Sequence, residues 1–205
     1  KCGFSLVHPE KSIEVTKWNK EGKPYVTTLP VIEVDLVTRF VATPEDEIDF
    51  GEIREVIFQL HHKFGFNIHL ICSDSFESMD FKQIMIKSGY KYTVFSADMH
   101  REVFDTFAEL IKDKRIIWYR HEPLLYELQR LEDLVTKVDH PPTSGKDISD
   151  ALALACYFAV GQELAERKIE TSTVRRTIRA VTAPGLFGSG NSPALPFRPQ
   201  DKLGY

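Results

Sequence analysis

The run Gly145-Lys146-Asp147-Ile148-Ser149-Asp150-Ala151-Leu152-Ala153-Leu154-Ala155 places two acids three residues apart at the entrance of an apolar, alanine-rich segment. At i and i+3 of a helix, Asp147 and Asp150 share one face. Aspartate favours a helix amino terminus, where the dipole and unbonded N–H groups welcome negative charge, so capping explains an isolated Asp-x-x-Asp. A third acid, Asp74, ends a second apolar run, Asn67-Ile68-His69-Leu70-Ile71-Cys72-Ser73-Asp74, far upstream. Carboxylates brought together from separate elements repel unless a cation lies between them. The three acids therefore point to a divalent metal site, and hard oxygen donors select magnesium or manganese over zinc.

Other chemistry has weaker support. No pair of cysteines has zinc-ligand spacing, and Cys72 and Cys156 sit in apolar runs, as expected of reduced, buried thiols. No Ser-His-Asp or Cys-His arrangement is evident. Ser73, Ser75 and Ser78 read as turn and cap groups, and His61, His62 and His69 as surface or core residues. Ser144-Gly145-Lys146-Asp147 superficially suggests a phosphate loop. His140 stands where the first glycine belongs, and Asp147 replaces the magnesium-binding Ser or Thr, so no nucleotide site is expected.

The elements that must position these acids follow from periodicity. The 205 residues, 42% of them hydrophobic, suit one ordinary domain with an appendage. The net charge of -4 gives no global signal for nucleic acid, although an acidic site and a local basic patch can cancel. Strands are predicted at 2–8, 11–19 and 31–41, the first two leading to a turn at Glu21-Gly22-Lys23-Pro24, and together they read as a meander. Helices are predicted at 50–64 after an Asp49 cap, at 77–88 before Gly89, at 101–112, at 122–134 with Pro123 in its first turn, and at 147–168. Short strands are predicted at 67–74, 90–95 and 115–119, and a loop at 140–145. The expected fold class is α/β, a mixed sheet flanked by helices, with loops beyond strand ends carrying the chemistry. After about residue 170 the chain turns basic and then rich in Pro, Gly and Ser. The division expected is a domain over 1–170 and an extended tail over 171–205. Arg175, Arg176 and Arg179 in that tail are candidate phosphate contacts, with a small solvated basic cluster as the alternative.

Three segments lie in a telling order: Leu70 to Ser78, Glu127-Leu128-Gln129-Arg130-Leu131-Glu132, and Val138-Asp139-His140-Pro141-Pro142 through Ala153. Together they resemble the nuclease domain of the large terminase subunit of tailed bacteriophages over about residues 1 to 165. The resemblance implies a ribonuclease H-like fold and metal-dependent endonucleolytic cutting of concatemeric double-stranded DNA during packaging. Such a site takes three acids. Asp74 matches the second and Asp147 the third, while Asp150 lies where many relatives carry a further acid. The first acid has no match, and the family pattern places it on an opening strand just ahead of a segment like Lys1-Cys2-Gly3-Phe4-Ser5-Leu6. The resemblance also implies Mg2+ or Mn2+ as cofactor, and Lys146 or His140 as phosphate contact, charge balance or proton partner. The partners implied are DNA, a portal ring, a small terminase subunit and a packaging ATPase domain. It further implies a monomeric isolated domain, the host cytoplasm as location, and no membrane association. Two other readings fit the residues: a non-catalytic DNA- or portal-docking module, and another ribonuclease H-like nuclease such as a junction resolvase.

Overall fold

The computed structural model describes residues 1–44, 47–74 and 79–161, all within one compact unit, Lys1–Arg167. The candidate arginines Arg175, Arg176 and Arg179, like Ser75 and Ser78, lie outside the described residues.

Two long strands, β1 (Cys2–Trp18) and β2 (Pro24–Phe40), pair antiparallel from Cys2↔Phe40 to Trp18↔Pro24. The segments 2–8 and 11–19 are thus one strand, not two. Their apparent break is a pair of register shifts, at Leu6/Val7 and Pro9/Lys11. Pro9 has no N–H to give the ladder, so the strand bulges around it and resumes. The hairpin turn is local chemistry: Asn19 Oδ1 accepts from the N–H groups of Glu21 and Lys23 at 3.0 and 2.8 Å, and Gly22 takes φ +74°.

Helix α1 (Phe50–His62) starts as expected, with Asp49 accepting from Gly51 N–H at 2.6 Å. Next come β3 (Ile71–Ser73), α2 (Met79–Lys87), β4 (Tyr92–Val94) and α3 (Glu102–Lys112), which buries Val103, Phe104, Phe107 and Leu110. Gly89, at φ +91°, follows α2 in the left-handed conformation that a helix end favours. The chain continues through β5 (Ile116–Ile117), α4 (Glu122–Leu128), and a hairpin of two short strands, β6 (Glu132–Asp133) and β7 (Val138–Asp139). The last helix, α5, runs from 147 through 161, where the described residues end.

Helix α4 stops six residues short of the expected 134 because β6 and β7 take over. Asp133 draws the chain out of the helix: its carboxylate accepts from Val135 N–H at 3.1 Å and from Arg101, on the α3 side of the molecule, at 2.7 and 2.9 Å. The Arg101 hydrogen bonds, followed by Val135 N–H, hold the Asp133 carboxyl down at about 2.

The sheet is mixed, as expected, and flanked by helices. One sheet has the order β1-β2-β5, with β2 and β5 parallel; β3 and β4 form a separate parallel pair. Two apolar clusters cover them. One joins α3, α5 and the buried face of β2 around Ile32, Val34, Leu110, Ile148 and Leu152. The other joins α1 and α2 around Ile53, Ile57, Phe81 and Met85. Side-chain alternation on β1 separates them: Cys2 and Phe4 pack on the α1/α2 cluster, whereas Gly3 and Ser5 meet α5. Among the described residues, no helix is long and apolar enough to cross a membrane.

Candidate metal centre

Asp74 follows β3 directly, and Asp147 and Asp150 open α5. The fold brings all three to the wall of one cavity of about 710 Å³.

The start of α5 is fixed from outside the helix. Its residue before the first turn is Lys146, whose carbonyl accepts from Asp150 N–H at 2.7 Å but whose side chain has no acceptor with which to cap. Glu127, on α4, supplies the missing oxygen. Its Oε2 accepts from Ile148 N–H at 2.9 Å, from Ser149 N–H at 2.9 Å and from Ser149 Oγ at 3.1 Å. Glu127 is 3% exposed, so these bonds form in a water-poor setting. From the opposite side β1 presses on the same turn. Gly3 packs so closely that a β-carbon there would stand 1.8 Å from the Asp147 carbonyl oxygen. Ser5 Oγ donates to the Ala151 carbonyl at 2.7 Å.

Lys146 is 6% exposed. Its ammonium pairs with Asp98, lies 3.5 Å from Asp150 Oδ1, and donates to the Val138 carbonyl at 3.2 Å. Burial works against its charge, but Asp98, Asp150 and Asp139 together outweigh burial and hold its pKa above the ordinary value. The cation that the clustered acids demand is therefore supplied in part by the chain itself. Lys146 thus balances charge among these carboxylates. His140 Nδ1 pairs with the Pro141 carbonyl at 2.8 Å, and the His140 backbone N–H donates to Asp139 Oδ1 on β7. Ser73 accepts from the Tyr92 hydroxyl at 2.6 Å and is structural.

Sequence reasoning missed Asp98 and Glu127 in these roles. Asp98 lies in a short turn with no periodic signal. Glu127 was legible in principle, since it stands three residues after the buried Leu124 and so on the inward face of α4.

Asp150 is the least satisfied acid. Its Oδ1 is buried and has no hydrogen-bond donor among the described residues, because 3.5 Å from Lys146 is an ion-pair distance and a poor hydrogen bond. Burial pushes its pKa up to about 7; Lys146 opposes the rise, and the charges of Asp98 and Asp74 add to it. The unfolded chain gives up this proton near 3.8, while the folded chain keeps it to about 7. The folded state therefore binds more protons between those values, and this contribution to stability falls as pH rises through that window. Asp150→Asn should raise stability by about 2 kcal/mol at pH 8, a discounted fraction of the full shift, and by almost nothing at pH 4. Urea denaturation at the two pH values checks this.

Hard carboxylate oxygens with one buried acceptor lacking a donor fit a divalent cation in chemical type. Among the described residues, however, no group of three His, Cys, Asp or Glu side chains is gathered closely enough to hold a metal unaided. No protein-family model, no curated protein and no solved structure matches the chain.

Proposed function

We propose that the chain is a divalent-metal-dependent nuclease that hydrolyses phosphodiester bonds of double-stranded DNA, in the manner of the nuclease domain of a phage packaging terminase. The observation that carries this reading is the convergence of Asp74, Asp147 and Asp150 on one cavity from elements far apart in sequence. Its support is the order of these acids along the chain and the resemblance of the segments around them.

In this reading Asp74, Asp147 and Asp150 are the residues that would hold Mg2+ or Mn2+. A divalent ion so held supplies charge relief to the phosphoryl oxygens and activates water. The chain's own groups do the positioning. Glu127 and Gly3 fix the first turn of α5 and hence both of its acids. Lys146 steadies Asp150 and Asp98 and keeps positive charge beside the carboxylates. Cleavage of concatemers, the portal, small subunit and ATPase partners, and a host cytoplasmic setting belong to the same proposal.

A plasmid-cleavage assay with manganese, magnesium or EDTA tests it. Metal-dependent cleavage should fall by about a hundredfold or more in Asp74→Ala and in Asp147→Ala, as expected when a group stabilising the transition state is lost. Undiminished metal-dependent cleavage by purified Asp74→Ala would sink the reading. The incomplete donor set favours one rival, a docking module that binds DNA or a portal without cutting. That rival gains if the same protein binds duplex DNA yet leaves plasmid intact at every metal concentration.

A further inference from the structure

A second cavity, also of about 710 Å³, opens between the end of β2, α4 and the loop of residues 142–145. Its polar wall combines Arg39 from β2, Arg120, Tyr126 and Gln129 from α4 and its flanks, and Thr143 and Ser144 from the loop. These are the side-chain types that meet nucleic-acid phosphates and sugars. Gly145 closes the groove toward the acidic site. A β-carbon added to it would stand 3.1 Å from Asp147 Oδ2, so the groove ends beside one of the three candidate metal ligands.

Two carboxylates also line the groove, Glu122 and Glu127, and both are engaged. Glu127 Oε2 accepts from Ile148 and Ser149. Glu122 pairs with Arg120 through Nε, and among the described residues the terminal guanidinium nitrogens of Arg120 have no acceptor. Arg39 is exposed and, among the described residues, has no carboxylate partner. Arg130 lies over the Tyr126 ring, 3.5 Å from its centre, and donates to the Tyr126 carbonyl at 3.2 Å. That contact closes one ring face to base stacking and adds a third positive charge at the groove wall. The need for such a surface is electrostatic. Asp74, Asp147 and Asp150 repel a polyanion, and Lys146 is committed to neighbouring carboxylates, so attraction has to come from groups beside them. We propose that this groove holds the backbone of duplex DNA flanking the bond to be cut, with Arg39 and Arg120 contacting phosphates and Arg130 steadying Tyr126 between them. The inference rests on the nuclease reading for its substrate and adds the surface that aligns it. Contacts of this kind reach phosphate and sugar, so the groove fixes position on the duplex without choosing a base sequence.

The test measures binding of a short fluorescent duplex to the full chain, in EDTA to withhold metal, across a series of salt concentrations. Arg39→Gln and Arg120→Gln should each weaken binding about fivefold and lower the slope of log affinity against log salt by about one. The loss should be the same on duplexes of unrelated sequence. Lys112→Gln removes an exposed charge at the end of α3 that lines neither cavity, and should bind as the wild type does. Thermal denaturation checks that each variant is folded; if Arg120→Gln is not, Arg39→Gln decides. Plasmid cleavage with manganese is measured on the same preparations. Wild-type binding that both arginine variants retain in full overturns the groove, and leaves the nuclease reading standing where plasmid is cut. Binding lost in the arginine variants, with no cleavage by any of the proteins, supports the groove and sinks the nuclease reading in favour of a DNA-docking module. Neither binding nor cleavage by the wild-type chain overturns both. A loss seen with single-stranded RNA and not with duplex DNA also overturns the proposal.

Discussion

Glu127→Ala is expected to destabilise the protein by about 3–5 kcal/mol, enough to leave much of a marginally stable domain unfolded. The magnitude follows from what the carboxylate leaves behind. Two backbone N–H groups and one hydroxyl, those of Ile148 and Ser149, lose their acceptor in a place where water cannot replace it. Each buried group left unsatisfied costs about 1–3 kcal/mol, and Ser149 Oγ recovers part by its 3.0 Å bond to the Lys146 carbonyl. The amino-terminal dipole of α5 loses its compensating charge as well. Glu127→Gln keeps one oxygen acceptor in the same place and should cost only about 1–2 kcal/mol. Urea unfolding of the pair separates a capping role from simple packing, for which the two variants would not differ in this order. Because the first turn of α5 carries Asp147 and Asp150, any cleavage should fall further than the folded fraction alone predicts.

Gly3→Ala is the second large effect. A methyl group placed 1.8 Å from the Asp147 carbonyl oxygen and 2.4 Å from its carbon meets backbone, not a side chain that can swing aside. Either β1 or the start of α5 must move, at a cost of about 3 kcal/mol. A displacement of about 1 Å at groups that act on a substrate can lower a rate about a hundredfold, so any cleavage should fall further than stability does. Gly161→Ala is the control. No heavy atom of the described residues outside its own helix backbone and chain neighbours lies within 4 Å of the β-carbon it would add, and helix propensity predicts a gain of up to about 1 kcal/mol. Thermal denaturation of both variants, with plasmid cleavage alongside, gives the comparison.

The parts of the fold legible in the sequence are those whose signals are local. Asp49 caps α1 and Gly89 follows α2 because each acts on its own neighbours. The apolar spacing of Val103, Phe104, Phe107 and Leu110 defines α3 wherever that helix docks. Errors arose where a distant residue decides. Pro9 reads as a strand breaker, yet pairing with β2 carries β1 past it. The hairpin β6–β7 turns at Val135 with φ +64°, a conformation that a β-branched residue rarely adopts, so no glycine marks the turn. Arg101 compensates by binding both Asp133 and the Val135 carbonyl, and nothing near residue 135 announces a partner 34 positions away.

The candidate site divides along the same line. Asp147 and Asp150 share a face by helix geometry, and Asp74 ends a strand by its apolar run, so their convergence could be anticipated. The supporting groups could not. Asp98 matters only because Lys146 reaches it across 48 residues, and Glu127 only because α4 lies under the start of α5.

The contact between Ser5 and Ala151 spans 146 positions, close to the whole length of the folded unit. The β1–β2 ladder, by contrast, closes between neighbours and can zip as soon as residue 40 is available. Formation order then follows from loop-closure entropy: ribbon first, amino-terminal edge to α5 last. During synthesis Asp74 waits for Asp147 until nearly the entire unit has left the ribosome. Chains arrested near residue 140 should be readily proteolysed around β3, and chains arrested past residue 161 and clear of the exit tunnel should resist. A nascent chain on this schedule brings Asp74 and the acids of α5 to one cavity only after α5 itself has emerged.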